Sequence, residues 1–590
     1  MKTILLLLGY SFFNALVMCN HDGAGNKEPK TKKTEYPANT NQRANANAKK
    51  KQNTNVSNNE NANTNTNGDA NGNGRQDVKN TSYSSSTPDA GKDALSVTPE
   101  KFGAIGDGKI HKLSSSYSSL KDAQKDFPGV KDLDITIDGA AIQKAVDYAA
   151  SKNGGEVVAE KNYAINFPII TRNNVIIDGK NKGIIYNDRS RVKYLHQWAF
   201  LIGNHHGVAF NTADNSSGAY KMYNVAGSLT AGQNNVQLAN PSDASSLKVG
   251  QLVMIISAFK RQQLRKTLLP YHITMDKIVR MDGSKLYFEY PVDENLEGAQ
   301  IAANGGYDGF AEINFEGVEN VTIRNLTIDA GQITGRCYGY KCHIDNIKLI
   351  NGVRIVGTNA LSHSTITNIT GTFSWRCIEI KTGSSDLLIR NINATYKALA
   401  DTDHCRGVIS TGEYNRNITI DSFKIDLESQ NIDQPIITLQ ARKAVISNGI
   451  IYCKNQTNSF LKFYNEHYIP DPEFGCYGNK VSNVKFYGSP SMKNVLSIGD
   501  REGNNNRQNK VAKRDKGNTN NKKAAVPEGE GTPPTANVVE NCLFDGGSAT
   551  SFAALNEGDQ NVVRNCVFTK AKLKISPAFQ QKNTISNNKE

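Results

Sequence analysis

The run Asn537-Val-Val-Glu-Asn-Cys542-Leu-Phe544 returns 24 residues later as Asn561-Val-Val-Arg-Asn-Cys566-Val-Phe568. Looser copies precede it: Val318–Ile328, Ser364–Thr370, Ser385–Ile392, Asn417–Phe423, Ala444–Ile450 and Val481–Phe486. Each copy holds an alternating apolar strand, an asparagine at or near a bend, and a second short strand. A period in the low twenties leaves no room for helices between strands, so the strands must stack coil upon coil as a parallel β-helix. The expected fold class is therefore all-β, a parallel β-helix (solenoid). The recurrent asparagine is expected to stack and bond its copy one coil away. Cys542 and Cys566 share a coil position, which sets them about 4.8 Å apart. Cys453 with Cys476, and Cys377 with Cys405, are also about one coil apart. Core packing of these thiols is favoured over a bridge.

Other stretches fall outside the repeat. Lys2 and the apolar run Ile4 to Val17 resemble a signal peptide over residues 1–19. The run ends at Leu16-Val17-Met18-Cys19, a possible lipobox, so the expected location is secreted, periplasmic or cell-surface, with lipid anchoring at Cys19 as one option. Residues 20–95 are a low-complexity linker of Asn, Thr, Ala, Gly, Ser and Lys, and 501–535 are a second polar insertion. These two stretches explain why only 38% of the 590 residues are apolar. They also carry about half of the net charge of +13, with +3 in residues 20–95 and +4 in 501–530. The remaining body, 96–585, is mildly basic. That permits an acidic polymer as partner and offers no module for nucleic acid. A membrane partner is expected only through the lipid anchor, and the chain is expected to be a monomer.

The body opens with Phe102-Gly-Ala-Ile-Gly-Asp-Gly108. Asp138-Gly-Ala-Ala-Ile-Gln-Lys-Ala-Val146 follows, with Asp138 as expected N-cap, and then Gly154-Gly-Glu-Val-Val158. Ile142, Val146 and Ala149 make one apolar helical face, suited to closing the end of a solenoid. These segments resemble the opening of the pectate-lyase superfamily β-helices. The resemblance covers the cap and, through the repeats, most of 96–585; it departs at 109–137, an insertion. It implies a right-handed helix and an extracellular carbohydrate-active protein, without settling the reaction. Residues 232–293 are similar to a small β-module often embedded early in such proteins.

Acids, bases and aromatics are densest over 329–413. Elimination at a uronate needs a base, a cation for the carboxylate and an acid for the leaving oxygen. Arg376, Lys381, His404 and Arg406 supply such groups. Hydrolysis needs a carboxylate pair, for which Glu379 and Asp403 are available with Asp401. Arg336, Tyr338, Tyr340, Lys341, Trp375 and Asp401 are expected to bind sugar, the rings by stacking on pyranose faces. Asp401 and Asp403 would equally suit a polar turn, and Glu379 with Lys381 a surface ion pair. Cys377-Ile-Glu-Ile-Lys-Thr-Gly383 resembles the Arg-Ile-Lys coil of polygalacturonases, but Glu379 stands in place of the arginine and the companion acidic motifs are missing. No metal motif appears and the sequence points to no particular cofactor; Ca²⁺ held by scattered carboxylates is an option that would leave no sequence mark. The expected function is polysaccharide lyase acting on an acidic glycan. The alternatives are a glycoside hydrolase on the same groove and a noncatalytic glycan-binding or adhesin β-helix.

Overall fold

A computed structural model describes residues 95–590 apart from 189–197, 204–220, 265–266, 304–305, 308–311, 314–315, 330, 336, 382, 399–404, 406, 413, 428–433, 454–458, 466–474, 490–491, 493, 500–532 and 548–550. The signal, lipobox and linker readings, and nearly all of the 501–535 insertion, lie outside the described residues.

The body is a right-handed parallel β-helix. One side is a 20-stranded sheet and the other an 11-stranded sheet. Each coil gives the long sheet a bent strand or strand pair, such as Leu361–Phe373, Ser385–Tyr396 and Arg416–Leu427. It gives the short sheet a strand of three to five residues, such as Arg354–Thr358, Arg376–Ile380 and Ile409–Thr411. Neighbouring coils pair in parallel and in register, so residues of one type form rows along the axis. Inward rows build a continuous core. In it Phe486, Phe544 and Phe568 stack at 5.0 and 5.2 Å with nearly parallel rings. Burial of each such side chain stabilises by roughly 1.5–3 kcal/mol.

The asparagines form two ladders for two different reasons. Asn325, Asn346, Asn368, Asn391 and Asn448 hold the bend of the long strands at φ between 52° and 58°. Asparagine tolerates this left-handed conformation because its short side chain bonds locally. The bend asparagines also bond one another, Asn346 to Asn325 at 2.8 Å and Asn391 to Asn368 at 2.9 Å. Asn479, Asn537 and Asn561 form the second ladder, fully buried just before the strands. Their amides bond at 2.8 Å (Asn479 to Asn537) and 3.0 Å (Asn537 to Asn561), and the Asn537 and Asn561 side-chain oxygens also accept the backbone N–H of Asn479 and Asn537. Eight cysteines are buried thiols. Cys542 and Cys566 interact across adjacent coils as their shared position demands.

The helix Ile137–Ser151 closes the N-terminal end, with Ile142, Val146 and Ala149 fully buried against the first coils. Its N-cap is Thr136, whose hydroxyl accepts from Gly139 N, and not Asp138 as the sequence suggests. Asp138 lies within the first turn and is buried. Its carboxylate accepts from Ile105 N at 2.7 Å, Gly106 N at 3.2 Å and Ala164 N at 3.0 Å, pinning the Gly-rich segment to the first coil. Hydrogen bonding to the tertiary fold outcompetes local capping here.

A six-stranded antiparallel sheet interrupts the solenoid. It runs from Lys221–Asn224 to Gln300–Ala303, wider than 232–293, and has its own apolar core. A second apolar patch, including Met254, Ile273 and Met275, docks on Tyr338, Tyr340 and Ala360 of the solenoid. Among the described residues no helix is long and apolar enough to cross a membrane.

Candidate functional site

Register places Trp198, Gln332, Arg354 and Arg376 in one row across four successive strands of the short sheet. Three positions further along, Gly357 pairs with Glu379. A side chain at 357 would occupy the space that Arg354 needs: a Cβ there would stand 2.9 Å from Arg354 Cδ. With glycine present, Arg354 folds over the strand and its Nη2 reaches Glu379 Oε2 at 2.6 Å. Arg376 donates to Glu379 Oε1, and Lys381 Nζ lies 3.5 Å from the same oxygen.

Glu379 is 2% exposed. Burial disfavours its charge, yet Arg354, Lys381 and Arg376 together hold its carboxyl well below the usual carboxylate range. These cations favour its ionised form, which speaks against a general-acid role and makes it an anchor for the arginines. That corrects its reading as a catalytic carboxylate. Trp375 completes the cluster: the guanidinium carbons of Arg354 and Arg376 lie 4.8 and 5.6 Å from its ring centroid. Three cations converge on this one carboxylate. Lys381 is the most solvated of the three, at 45% side-chain exposure.

Other expected residues are elsewhere. Tyr338 and Tyr340 are 1% and 0% exposed beneath the inserted sheet, so neither ring face can stack on a sugar. The Tyr340 hydroxyl lies 2.9 Å from Glu289 Oε2 and 3.1 Å from Asp276 Oδ1, both carried by the insertion. Lys341 is ion-paired to Glu289. These three residues hold the insertion in place; the docking of a distant segment covers positions that look like surface turns in the sequence. Arg336, Asp401, Asp403, His404 and Arg406 lie outside the described residues. Arg354 escaped the sequence reading, although it stands 22 residues before Arg376 in the same register. Gly357 left no sequence sign of its role.

Among the described residues, His272, Asp293 and Glu294 are the one group that could present metal ligands together, within 4.8 Å of one another. Arginines already occupy both carboxylates. Arg416 Nε is 2.9 Å from Asp293, and Arg442 Nη2 is 2.9 Å from Glu294. These cations oppose a metal ion, and the cluster instead ties the insertion to the solenoid.

No protein-family model matches the chain. Several solved structures share its architecture. The tailspike protein gp49 of Pseudomonas phage LKA1 is 14% identical with a TM-score of 0.43, the match covering 84% of this chain and 81% of that one. The A-module of the Azotobacter vinelandii mannuronan C-5 epimerase AlgE6 is 12% identical with a TM-score of 0.37, covering 84% and 99%. PfbA, a surface adhesin of Streptococcus pneumoniae, is 12% identical with a TM-score of 0.33, covering 84% and 93%. At these identities the likeness is one of fold.

Proposed function

We propose that the protein binds an acidic polysaccharide across the outer face of the short sheet, centred on Trp375, and cleaves it by β-elimination. The observation that carries this reading is the convergence of Arg354, Arg376 and Lys381 on one buried carboxylate, with an indole beside it. In elimination a base takes the C5 proton of a uronate and the C4–O bond breaks. The electron pair leaves on the departing oxygen, which takes up a proton, and a C4–C5 double bond forms. Fixed cations at the uronate carboxylate stabilise the charge that builds at C5. Arg354 and Arg376, held by Glu379, suit that task with Lys381 as a third cation, and His404 is the candidate base. Hydrolysis would need two available carboxyl groups, and Glu379 is not available. Export through residues 1–19 would bring the protein to such a substrate.

The test is a panel of polygalacturonate, alginate, hyaluronan, chondroitin sulfate and heparin, assayed in parallel for ultraviolet absorbance of unsaturated products and for new reducing ends. Absorbance with one polymer, lost in Arg376→Ala and Lys381→Ala, is the expected result; His404→Ala and Arg406→Ala are assayed beside them. Reducing ends without absorbance would mean a hydrolase. Binding without either product would mean a glycan-binding protein.

A further inference from the structure

The outward rows of the short sheet continue past the Trp375 cluster. The row that holds Glu379 runs on through Ser410, Thr438, Lys462, Ser497, Ala554 and Lys574. Six strand spacings of about 4.8 Å put Lys574 roughly 29 Å from Glu379 along the axis. There the chemistry of the first cluster returns in part. Lys574 Nζ stands 3.8 Å from the ring centroid of half-buried Phe552. Lys572 is the register partner of Phe552, and both lysines are exposed. Neither makes an ion pair among the described residues. Between them, Leu573 N donates to Glu590 Oε1 at 3.3 Å.

The adjoining strand adds an independent observation. Asn494, paired with Phe552, and Ser497, paired with Ala554, each carry a buried polar oxygen with no hydrogen-bond partner. Ser497 is fully buried. An unsatisfied buried polar atom is costly and calls for a partner. An aromatic ring, two unpaired ammonium groups and two unsatisfied polar oxygens match the apolar face, the carboxylate and the hydroxyls of an acidic sugar.

We infer that Phe552, Lys572 and Lys574, with Asn494 and Ser497, form a second binding station for the same acidic polysaccharide, remote from the Trp375 cluster. The choice of polymer rests on the reading given under Proposed function. Charge complementarity selects the occupant: the seven strands from Arg376–Ile380 to Ala571–Ile575 carry four cations and a single carboxylate, Glu379, which is already neutralised. A chain long enough to span both stations binds through both; a short oligosaccharide occupies one.

The experiment measures binding of the full chain to whichever polysaccharide of the panel it prefers, as long polymer and as short oligosaccharide cut from it. The variants are the double substitution Lys572→Ala with Lys574→Ala, and separately Phe552→Ala. Lys572→Arg with Lys574→Arg serves as the charge-keeping control, and thermal melting checks that each variant folds. The expected result is roughly tenfold weaker binding of long polymer by the double alanine variant, from two exposed charge contacts. Affinity for the short oligosaccharide that fills the Trp375 cluster stays unchanged, and the arginine variant recovers polymer binding. Unchanged polymer affinity in the alanine variants, with Arg376→Ala still weakening the oligosaccharide, overturns the second station and leaves the proposed function standing. Equal loss of polymer and of polyglutamate binding shows a nonspecific charge effect and overturns it too. Absence of binding by every polysaccharide of the panel overturns both.

Discussion

The two sheets of this solenoid share one core but treat charge on their outer faces in opposite ways. On the long sheet, charges close upon each other from coil to coil. Arg324 Nε reaches Asp178 at 2.7 Å, Arg390 reaches Asp421 at 3.2 Å, and Arg564 and Lys480 meet on Glu540 at 2.6 and 2.7 Å. On the short sheet, cations gather at a few places. Arg354, Arg376 and Lys381 share Glu379, and Lys572 and Lys574 have no ion pair among the described residues. Ladders that satisfy themselves offer a partner little. A face that gathers cations favours a polyanion, the occupant proposed above.

The largest expected effect is at Glu379. Glu379→Ala leaves Arg354 and Arg376 beside each other, largely buried, without their counter-charge. Stability should fall by about 3–5 kcal/mol, read by chemical denaturation, and sugar binding should fall with it. A loss under about 1 kcal/mol would place this pair with the exposed ladders of the other face.

The seam between the sheets, where the insertion docks, should respond to pH. Asp276 and Glu289 both approach the Tyr340 hydroxyl, whose single proton can serve only one of them. Burial, with some repulsion from Glu289, raises Asp276 to about 7, against donation from Lys277 N, Tyr290 N and Tyr340. Lys341 pairs with Glu289, Lys277 with Glu319, and buried His363 stacks on Tyr290 at 3.9 Å, so the charge around Asp276 is otherwise matched. The docked state therefore keeps a proton on Asp276 that the undocked state releases at the ordinary carboxyl value. Docking is strongest below that value, weakens as pH rises and has lost this contribution above about 7, on the order of 2–4 kcal/mol. Hydrogen exchange of the strand Thr267–Asp282 should speed up over this range, and Asp276→Asn should flatten the dependence. A pH-independent wild type would sink the account.

Gly357→Ala is a smaller and sharper probe. The added methyl displaces Arg354 from Glu379 at a stability cost of ~1 kcal/mol, while oligosaccharide affinity falls clearly. Unchanged affinity would remove Arg354 from the binding face. At the low end, Arg564→Ala on the long sheet breaks a half-exposed pair and should change stability by less than about 1 kcal/mol, with no effect on sugar binding.

Much of this architecture was legible because a β-helix writes its period into the chain. Asn537 and Asn561, Cys542 and Cys566, and Phe544 and Phe568 each report one coil position, and the apolar face of Ile142, Val146 and Ala149 reports the cap. The candidate site was legible only as a list. Trp375, Arg376, Glu379 and Lys381 stood out by type, yet nothing local shows that Glu379 is buried between cations, or that Gly357 is what admits Arg354. Tyr338 and Tyr340 looked like exposed rings because the segment that covers them is about 60 residues away along the chain.

The sequence by itself determined the coil, its register and its cap, because periodic burial and left-handed asparagines act within one repeat. Only the tertiary structure decided which polar residues reach solvent. That choice depends on a neighbouring rung and on a docked insertion, which set burial and charge balance across distances the repeat does not encode.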